Sequence, residues 1–539
     1  MSETKRYTFL KSRNGENVPA FILPNGDTQP LHSMIDPKKE AERLISSSSI
    51  TNNSFLIFFG LGGGFAPLAA LEQSDSRVTV IDFNKNDINE LLKGKDYSAL
   101  LNNDRFTLLA DISPEELKTF IIENFNPALS TGIRTIPLRA RIERDTDKFD
   151  EAAAVIKQAI EIVSGDYSVQ AHFGIRWFSN IIRNISQTGK YNNNFFTELK
   201  KSNIKKAAVV AAGPSLDRQL SSLAMFKSHG GFIISTDTAL GALLNNNIEP
   251  DAVVSIDCQL ISYYHFTGLN MRRIPLIMDI ASPPLLCGLS SAPIFFSGGH
   301  PLCSYFNSNW KYFPRLDTSG GNVTYACLSL AESLNIPRIT LFGADFSYIR
   351  SRTYARGTYI YPYFYNRQNR LSPMEAQMSR FLYRSPFLPQ EDGQRKNYYE
   401  TSSLRFYREK LEEKVFSMSQ HVTCEPGDGA PVNTGNSSRK ECEEHLDIGE
   451  NITDNKEISG EDFLKNYRDD ISILPQVRER ENYLLKLNSK EKQVFTTLLP
   501  LAAAVKKRRP ELELKELIEE TKRFSAAKIE AVLKNLNFN

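Results

Sequence analysis

Apolar and polar positions along the chain divide it into segments of different period. Residues 7–30 (YTFLKSRNGENVPAFILPNGDTQP) form short apolar runs broken at Asn14-Gly15 and Asn25-Gly26, which predicts strands joined by tight turns. LHSMIDPKKEAERLI follows with a helical period, Asp36 standing as N-cap and Pro37 at the first helical position. The stretch SFLIFFGLGGGFAPLAALEQSDSRVTVIDFNKNDINELL then gives a buried strand, a glycine-rich turn, a helix, a second strand and a second helix. This βαβ pattern predicts a small α/β domain over residues 1–150. The period is helical again in DEAAAVIKQAIEIV and WFSNIIRNISQT, so residues 151–203 are expected to form a helical bridge.

Between 204 and 350 six short apolar runs (AAVVAAG, GFIISTD, AVVSID, IPLIMDI, APIFFSG, ITLFGAD) recur at intervals too long for hairpins. Runs of this kind, buried on both faces, belong to a mostly parallel sheet. Residues 355–420 break the rhythm with tyrosines at 359, 361, 363 and 365, an alternation that suits a strand or an extended lid. VTCEPGDGAPVNTGN supplies a last strand and turn, closing a central domain over 204–437. A polar linker is expected over 438–459 and a helical C-terminal region over 460–539, amphipathic and interrupted by KKRRP. The fold class is therefore α/β: a central Rossmann-like, mostly parallel sheet, preceded by a smaller α/β domain and followed by helices.

Composition narrows the setting. The 539 residues exceed one ordinary core, and 41% apolar with 24% charged residues is a globular balance. The net charge of +2 provides no basic field for nucleic acid. No apolar run approaches the ~20 residues of a membrane span, and the N-terminus lacks the apolar core of a secretory signal. The six cysteines are scattered without a CxxC pair, so reduced thiols and a cytoplasmic location are expected.

Candidate chemistry gathers where strands end. Gly213-Pro214-Ser215 follows AAVVAA and precedes a helix. Such a junction either makes a tight turn or offers helix N–H groups and a hydroxyl to a phosphate. Asp237, Asp257 and Asp345 end three other strands, and Thr318-Ser319-Gly320 precedes a second helix. In a doubly wound sheet all of these fall at the rim where ligands bind. GLGGG with Asp82, twenty-two residues beyond Gly60, has the form of a nucleotide or S-adenosylmethionine site, but a glycine-rich turn that closes helix-to-strand packing is the favoured reading. Asp145-Thr146-Asp147 is formally a metal-binding DxD, yet it lies in a charged run opening a helix and suits a solvated cap.

GPSL after a strand, TSG before a helix and the stretch TSGGNVTYACLSLAESLNIPRITLFGADFSY resemble the bacterial sialyltransferases that use CMP-activated sugars. With IEPDAVVSID, LHSMIDPKKEAERL and GDGAPVNTG, the chain resembles, over residues 7–437, the motility-associated factor (Maf) glycosyltransferases. That resemblance implies transfer of a nonulosonic acid, of pseudaminic or legionaminic type, from its CMP-activated form to Ser or Thr of flagellin. It implies the CMP-sugar as donor substrate with no further cofactor, a divalent metal remaining an open alternative. Gly213, Pro214 and Ser215 would hold the nucleotide phosphate and ribose. Asp237, Gln259 and Asp345 would lie at the nucleotide-sugar site, and Thr318, Ser319 and Gly320 would contact phosphate or donor carboxylate. Tyr348 and Tyr354 carry the spacing of the sialyltransferase pair that stabilises departing CMP, displaced by one residue. The histidine base expected after those tyrosines is missing: no histidine lies between His300 and His421. Asp257 or Asp237 is the remaining candidate for the base.

Two rivals stand beside this reading. The GPSLD domain also resembles hydroxymethylpterin diphosphokinases, in which strand-end aspartates would hold magnesium and ATP. A non-catalytic flagellin-binding protein on the same scaffold is the third.

Overall fold

The computed structural model describes residues 6–51, 53–188, 195–291, 293–389, 397–435, 458–478 and 483–536. The linker expected over 438–459 falls outside these residues as far as 457, as does Cys442. The chain forms two compact units, Met1–Ile175 with Asp469–Ala526, and Arg176–Arg468 with Ala527–Asn539. This division differs from the one expected. The helices of the 460–539 region are shared out: Ser489–Arg508 joins the first unit, where Ala503 packs with Ala128 and Ala171. The expected bridge is mostly one 43-residue helix, Thr146–Thr188, whose residues divide between the units after Ile175.

In the first unit, β1 (Tyr7–Lys11), β2 (Asn17–Ile22) and β3 (Thr28–Pro30) form the antiparallel meander that the two Asn-Gly turns predict. Asp36 caps the helix Pro37–Ser47 by accepting Lys39 N–H at 3.0 Å. β4 (Ser54–Phe59), β5 (Arg77–Asp82), β6 (Phe106–Ala110) and β7 (Gly132–Pro137) are all parallel, in the order β6-β5-β4-β7. Successive residues of β4 point to opposite faces: Leu56 and Phe58 enter one core, and Phe55, Ile57 and Phe59 the other. Both faces are covered, which is why SFLIFF reads as a continuous apolar run.

The second unit is built on a seven-stranded parallel sheet. Its strands are β8 (Ala207–Val210), β9 (Phe232–Thr236), β10 (Ala252–Ser255), β11 (Leu276–Asp279), β12 (Pro293–Phe296), β13 (Arg338–Phe342) and β16 (His421–Cys424). The order is β12-β11-β10-β9-β8-β13-β16. β14 (Tyr348–Ile349) and β15 (Tyr398–Tyr399) form a small antiparallel pair within the excursion. Ala207 and Val209 face a core shared with the helix Val323–Ser333, while Ala208 and Val210 face the helix Leu216–Ser228. The chain leaves β8 in one direction through β12, then returns to β8's other side with β13. That reversal sets the switch point of the sheet between β8 and β13, where a crevice opens outside the strand ends.

Candidate active site

The sequence puts its GPS junction directly at that switch point. Gly213 N–H donates to Gly343 O at 2.9 Å, and Ser215 N–H donates to Asp345 Oδ2 at 2.8 Å. A Cβ on Gly213 would lie 2.4 Å from that same carboxylate oxygen, so only glycine admits the approach. From the third element, the GDG loop after β16, Asp428 N–H donates to Ser215 Oγ at 2.9 Å. Gln219, one turn into the helix, accepts Gly343 N–H and donates to Glu425 O and Pro426 O. Gly213, Pro214, Ser215, Asp345 and the GDG loop thus form one tightly bonded cluster. Ser215 is 2% exposed, and its hydroxyl and N–H are both engaged within the protein. Burial raises the Asp345 pKa above the usual carboxylate range, against the Ser215 hydrogen bonds that lower it.

The second cluster lies at the ends of β9 and β10. Asp237 is 1% exposed, yet it is ringed by polar groups: Ser255 Oγ donates to Oδ2 at 2.8 Å, and Thr238 N–H and Oγ1 donate to Oδ1. His265 Nδ1 stands 3.2 Å from the same Oδ1. Burial pushes this carboxyl upward, but His265 and the three donors outweigh it and hold Asp237 below its ordinary value. Asp257 lies alongside; its Oδ1 accepts Gln259 N–H at 2.8 Å, and burial, then the Asp237 charge, raise its pKa. The Tyr359 ring packs on His265 at 4.4 Å between centroids.

The excursion folds over these clusters. Ala355 N–H donates to Ala212 O at 2.8 Å, tying the residue after Tyr354 to the residue before Gly213. Asp217, in the first turn of the helix after GPS, fastens the same segment through Arg352 (2.6 Å) and Arg356 N–H (2.8 Å). Tyr354 sits near Tyr359 (6.3 Å) and Phe381 (6.4 Å). Burial, then Tyr348, Asp237 and Tyr407, push its phenol up to about 12 against Arg384. Tyr348 lies in the short strand β14, its ring 6.1 Å from Phe387. The tyrosine series itself is not a strand: Ile360–Tyr365 is a helix, so Tyr359 and Tyr363 meet one turn apart (6.2 Å) instead of alternating between faces.

Thr318, Ser319 and Gly320 precede the helix Val323–Ser333 as expected. Thr318 Oγ1 donates to Gly298 O, and Ser319 N–H donates to Asp317 Oδ1. Asp317 also accepts Tyr325 OH at 2.7 Å and faces Lys414 at 3.4 Å. Although burial raises its pKa, the Tyr325 and Ser319 bonds and Lys414 together hold it at about 2. Gly321 faces the Tyr407 ring.

A family model described as "6-hydroxymethylpterin diphosphokinase MptE-like" matches residues 179–351. The Maf glycosyltransferase structure from Magnetospirillum magneticum AMB-1 superposes with a TM-score of 0.53 at 13% identity, covering 100% of this chain and 93% of that one. The chain has the fold of a Maf glycosyltransferase. Two curated relatives, both uncharacterized proteins of Treponema pallidum (strain Nichols), match shorter stretches. One is 38% identical over 120 residues (21% of this chain, 42% of the relative), the other 34% over 136 residues (23% and 61%). The chain thus spans less than two thirds of the length of either.

Within this Maf fold the glycine-rich turn of the first unit is filled by the protein. Asp82 binds Arg141 at 2.8 Å and accepts Leu61 and Phe83 N–H, and both charged side chains are 1% exposed. A Cβ on Gly60 would collide with Arg141 Cγ at 2.7 Å; the glycine makes room for arginine, not for a cofactor. Arg141 also takes Asp145, so the first carboxylate of the DxD belongs to this network, while Asp147 is exposed. Among the described residues no group of three or more His, Cys, Asp or Glu is arranged to hold a metal, and no helix is long and apolar enough to cross a membrane.

Three features of the rim escaped sequence reasoning. Asp279, the last residue of β11, is a fourth strand-end carboxylate, hidden in the apolar run IPLIMDI. Asn180 and Asn184, one turn apart, each donate to two backbone carbonyls: Cys258 and Ala281, and Ile280 and Ser282. They pin the loops after β10 and β11. The third is His265, which lies 83 residues before Tyr348 and 89 before Tyr354, and so outside the region after the tyrosines where a histidine base is expected. His421, in contrast, opens β16 opposite Arg338, at the start of the strands and away from this rim.

Proposed function

We propose that the protein is a glycosyltransferase that moves a nonulosonic acid, of pseudaminic or legionaminic type, from its CMP-activated form to Ser or Thr hydroxyls of flagellin in the cytoplasm. The observation that carries this reading is that the tyrosine-bearing excursion closes on the strand-end rim: Ala355 N–H donates to Ala212 O beside the GPS turn, and the Tyr359 ring packs on His265 next to Asp237. The Maf fold supports it, as do the motifs shared with CMP-sugar sialyltransferases.

The chemistry follows from the donor. Its anomeric carbon develops oxocarbenium character while CMP departs with the bonding electrons, so donors aimed at the phosphate stabilise the transition state. Tyr348 and Tyr354 are those donors. With its phenol pushed up to about 12, Tyr354 keeps its proton at neutral pH and has it to donate to the leaving group. Gly213, Pro214, Ser215 and Asp345 set the shape of the crevice through their mutual bonds, and Asp428 and Arg218 lie at its mouth. The Thr318–Gly320 loop and Gln259 complete the nucleotide-sugar side. Exposed Tyr365, Leu371 and Tyr383 on the excursion offer stacking and apolar surface to the acceptor protein. The CMP-sugar is substrate, and no further cofactor enters.

The test is intact-mass spectrometry of flagellin after incubation with the protein and CMP-pseudaminic or CMP-legionaminic acid. Gain of one or more nonulosonate residues supports the reading; unmodified flagellin with both donors opposes it. The pterin diphosphokinase reading rests on the description of the matched family model. The strand-end carboxylates serve it poorly, since Asp237, Asp279 and Asp345 already accept internal donors. ATP-dependent phosphorylation of hydroxymethylpterin would decide for it.

A further inference from the structure

Resting on the transferase reading above, we infer that His265 is the general base that deprotonates the acceptor hydroxyl, and that Asp237 is the residue that positions it. His265 follows the short helix Ile261–Tyr264 in the loop after β10, and its side chain is 11% exposed. Nδ1 stands 3.2 Å from Asp237 Oδ1 and 3.3 Å from Thr238 Oγ1. Thr238 Oγ1 already donates to Asp237, so both oxygens accept from the ring, and the proton of the neutral imidazole belongs on Nδ1. The lone pair is then on Nε2, which meets no hydrogen-bond partner among the described residues. Ring orientation is fixed twice, by Asp237 at the edge and by Tyr359 across the face.

Asp237 suits the supporting role better than a direct one. It is sealed from solvent, and Ser255 and Thr238 hold its carboxylate in place. A buried carboxylate so arranged stabilises an imidazolium as it forms, because the product of proton transfer is a paired charge. Asp257, the base expected from the sequence, has one oxygen engaged by Gln259 N–H in its own turn and adds a second negative charge beside the pair. The groups facing His265 are thus Asp237 and Thr238 after β9, Asp257 after β10, and Tyr359 from the excursion.

The step balances without a further reagent. The acceptor oxygen bonds to the anomeric carbon as the bond from that carbon to the CMP phosphate oxygen breaks. CMP keeps the electron pair, and the hydroxyl proton passes to Nε2. A base is needed only because a Ser or Thr hydroxyl must lose its proton; azide, an anion at neutral pH, needs none. This separates proton transfer from donor activation.

The experiment compares wild type, His265→Gln and Asp237→Asn with flagellin or azide as acceptor and CMP-pseudaminic or CMP-legionaminic acid as donor. CMP titration of each variant reports that the donor site is intact. Both variants are expected to lose roughly 10²–10⁴-fold in transfer to flagellin, and His265→Gln is expected to bind CMP within about threefold of wild type and to form the glycosyl azide at near wild-type rate. The inference is overturned if His265→Gln transfers to flagellin within about threefold of wild type, or loses the azide reaction as fully as the protein reaction. A wild-type protein that neither binds CMP nor uses either donor overturns the transferase reading itself and removes the base with it. That outcome is read on wild type alone, so the two failures are distinct.

Discussion

Asp345 Oδ2 accepts the backbone N–H of Ser215 at 2.8 Å, joining the end of β13 to the helix that leaves β8. The helix N-terminus that a phosphate would be expected to seek therefore already holds an anion, and the chain supplies it. The pair keeps β8 and β13 in register at the switch point, and the proposed function puts the nucleotide phosphate beyond it, toward the tyrosines of the excursion.

Gly213 is the residue most sensitive to this arrangement. A methyl group there meets Asp345 Oδ2 and Gly343 O, each at 2.4 Å. Gly213→Ala is expected to cost about 1–3 kcal/mol through forced backbone movement, and to weaken CMP binding at least tenfold. Chemical denaturation and CMP calorimetry on the same preparation check both.

In the proposed mechanism Tyr348 and Tyr354 act on the leaving phosphate and not on the resting donor. Tyr348→Phe and Tyr354→Phe are each expected to lower kcat and kcat/KM together by roughly 10–100-fold, with CMP affinity little changed. Steady-state kinetics of CMP release measures this; a rise in KM with kcat intact would assign the hydroxyls to ground-state binding.

The parallel sheet and its rim were legible because buried parallel strands leave unbroken apolar runs, and ligand groups follow them in sequence. Asp237, Asp257 and Asp345 were found in this way. Asp279 was not, because it is enclosed in an apolar run and announces no turn. Three-dimensional partners were also out of reach. Nothing in GPS predicts that Ser215 is satisfied from residues 345 and 428, and nothing in the string SYYHF links His265 to Asp237. The alternating tyrosines suggested a strand, but Pro362 early in Ile360–Tyr365 is tolerated in a first helical turn, and packing of every fourth residue prevailed.

The glycine-rich turn of the first unit makes a separate prediction. Since Arg141 occupies the switch point there and binds Asp82, calorimetry should find no binding of NAD or S-adenosylmethionine to an isolated GLGGG site. Arg141→Met leaves Asp82 buried without its partner and should cost about 3–5 kcal/mol of stability, seen as an earlier unfolding transition.

Asp279 gives the second unit a pH signature. Burial raises its pKa from 3.8 to about 6, against the N–H groups of Ala281 and Gly298 that lower it. The folded state holds this proton more tightly than the unfolded one, so the group's contribution is fully present below the unfolded pKa and is lost as pH rises through about 6. The linked loss is about 3 kcal/mol. Thermal melts between pH 4 and 7 should show this fall, and Asp279→Asn should flatten it.

The central claim is that the rim between β8 and β13, roofed by the tyrosine-bearing excursion, receives a cytidine monophosphate. Isothermal titration of the full chain with CMP, and separately with ATP and magnesium, tests it most directly. One CMP should bind per chain with a Kd of roughly micromolar order, markedly weakened in Gly213→Ala, with little heat from ATP. Saturable binding of ATP with magnesium and none of CMP would contradict it.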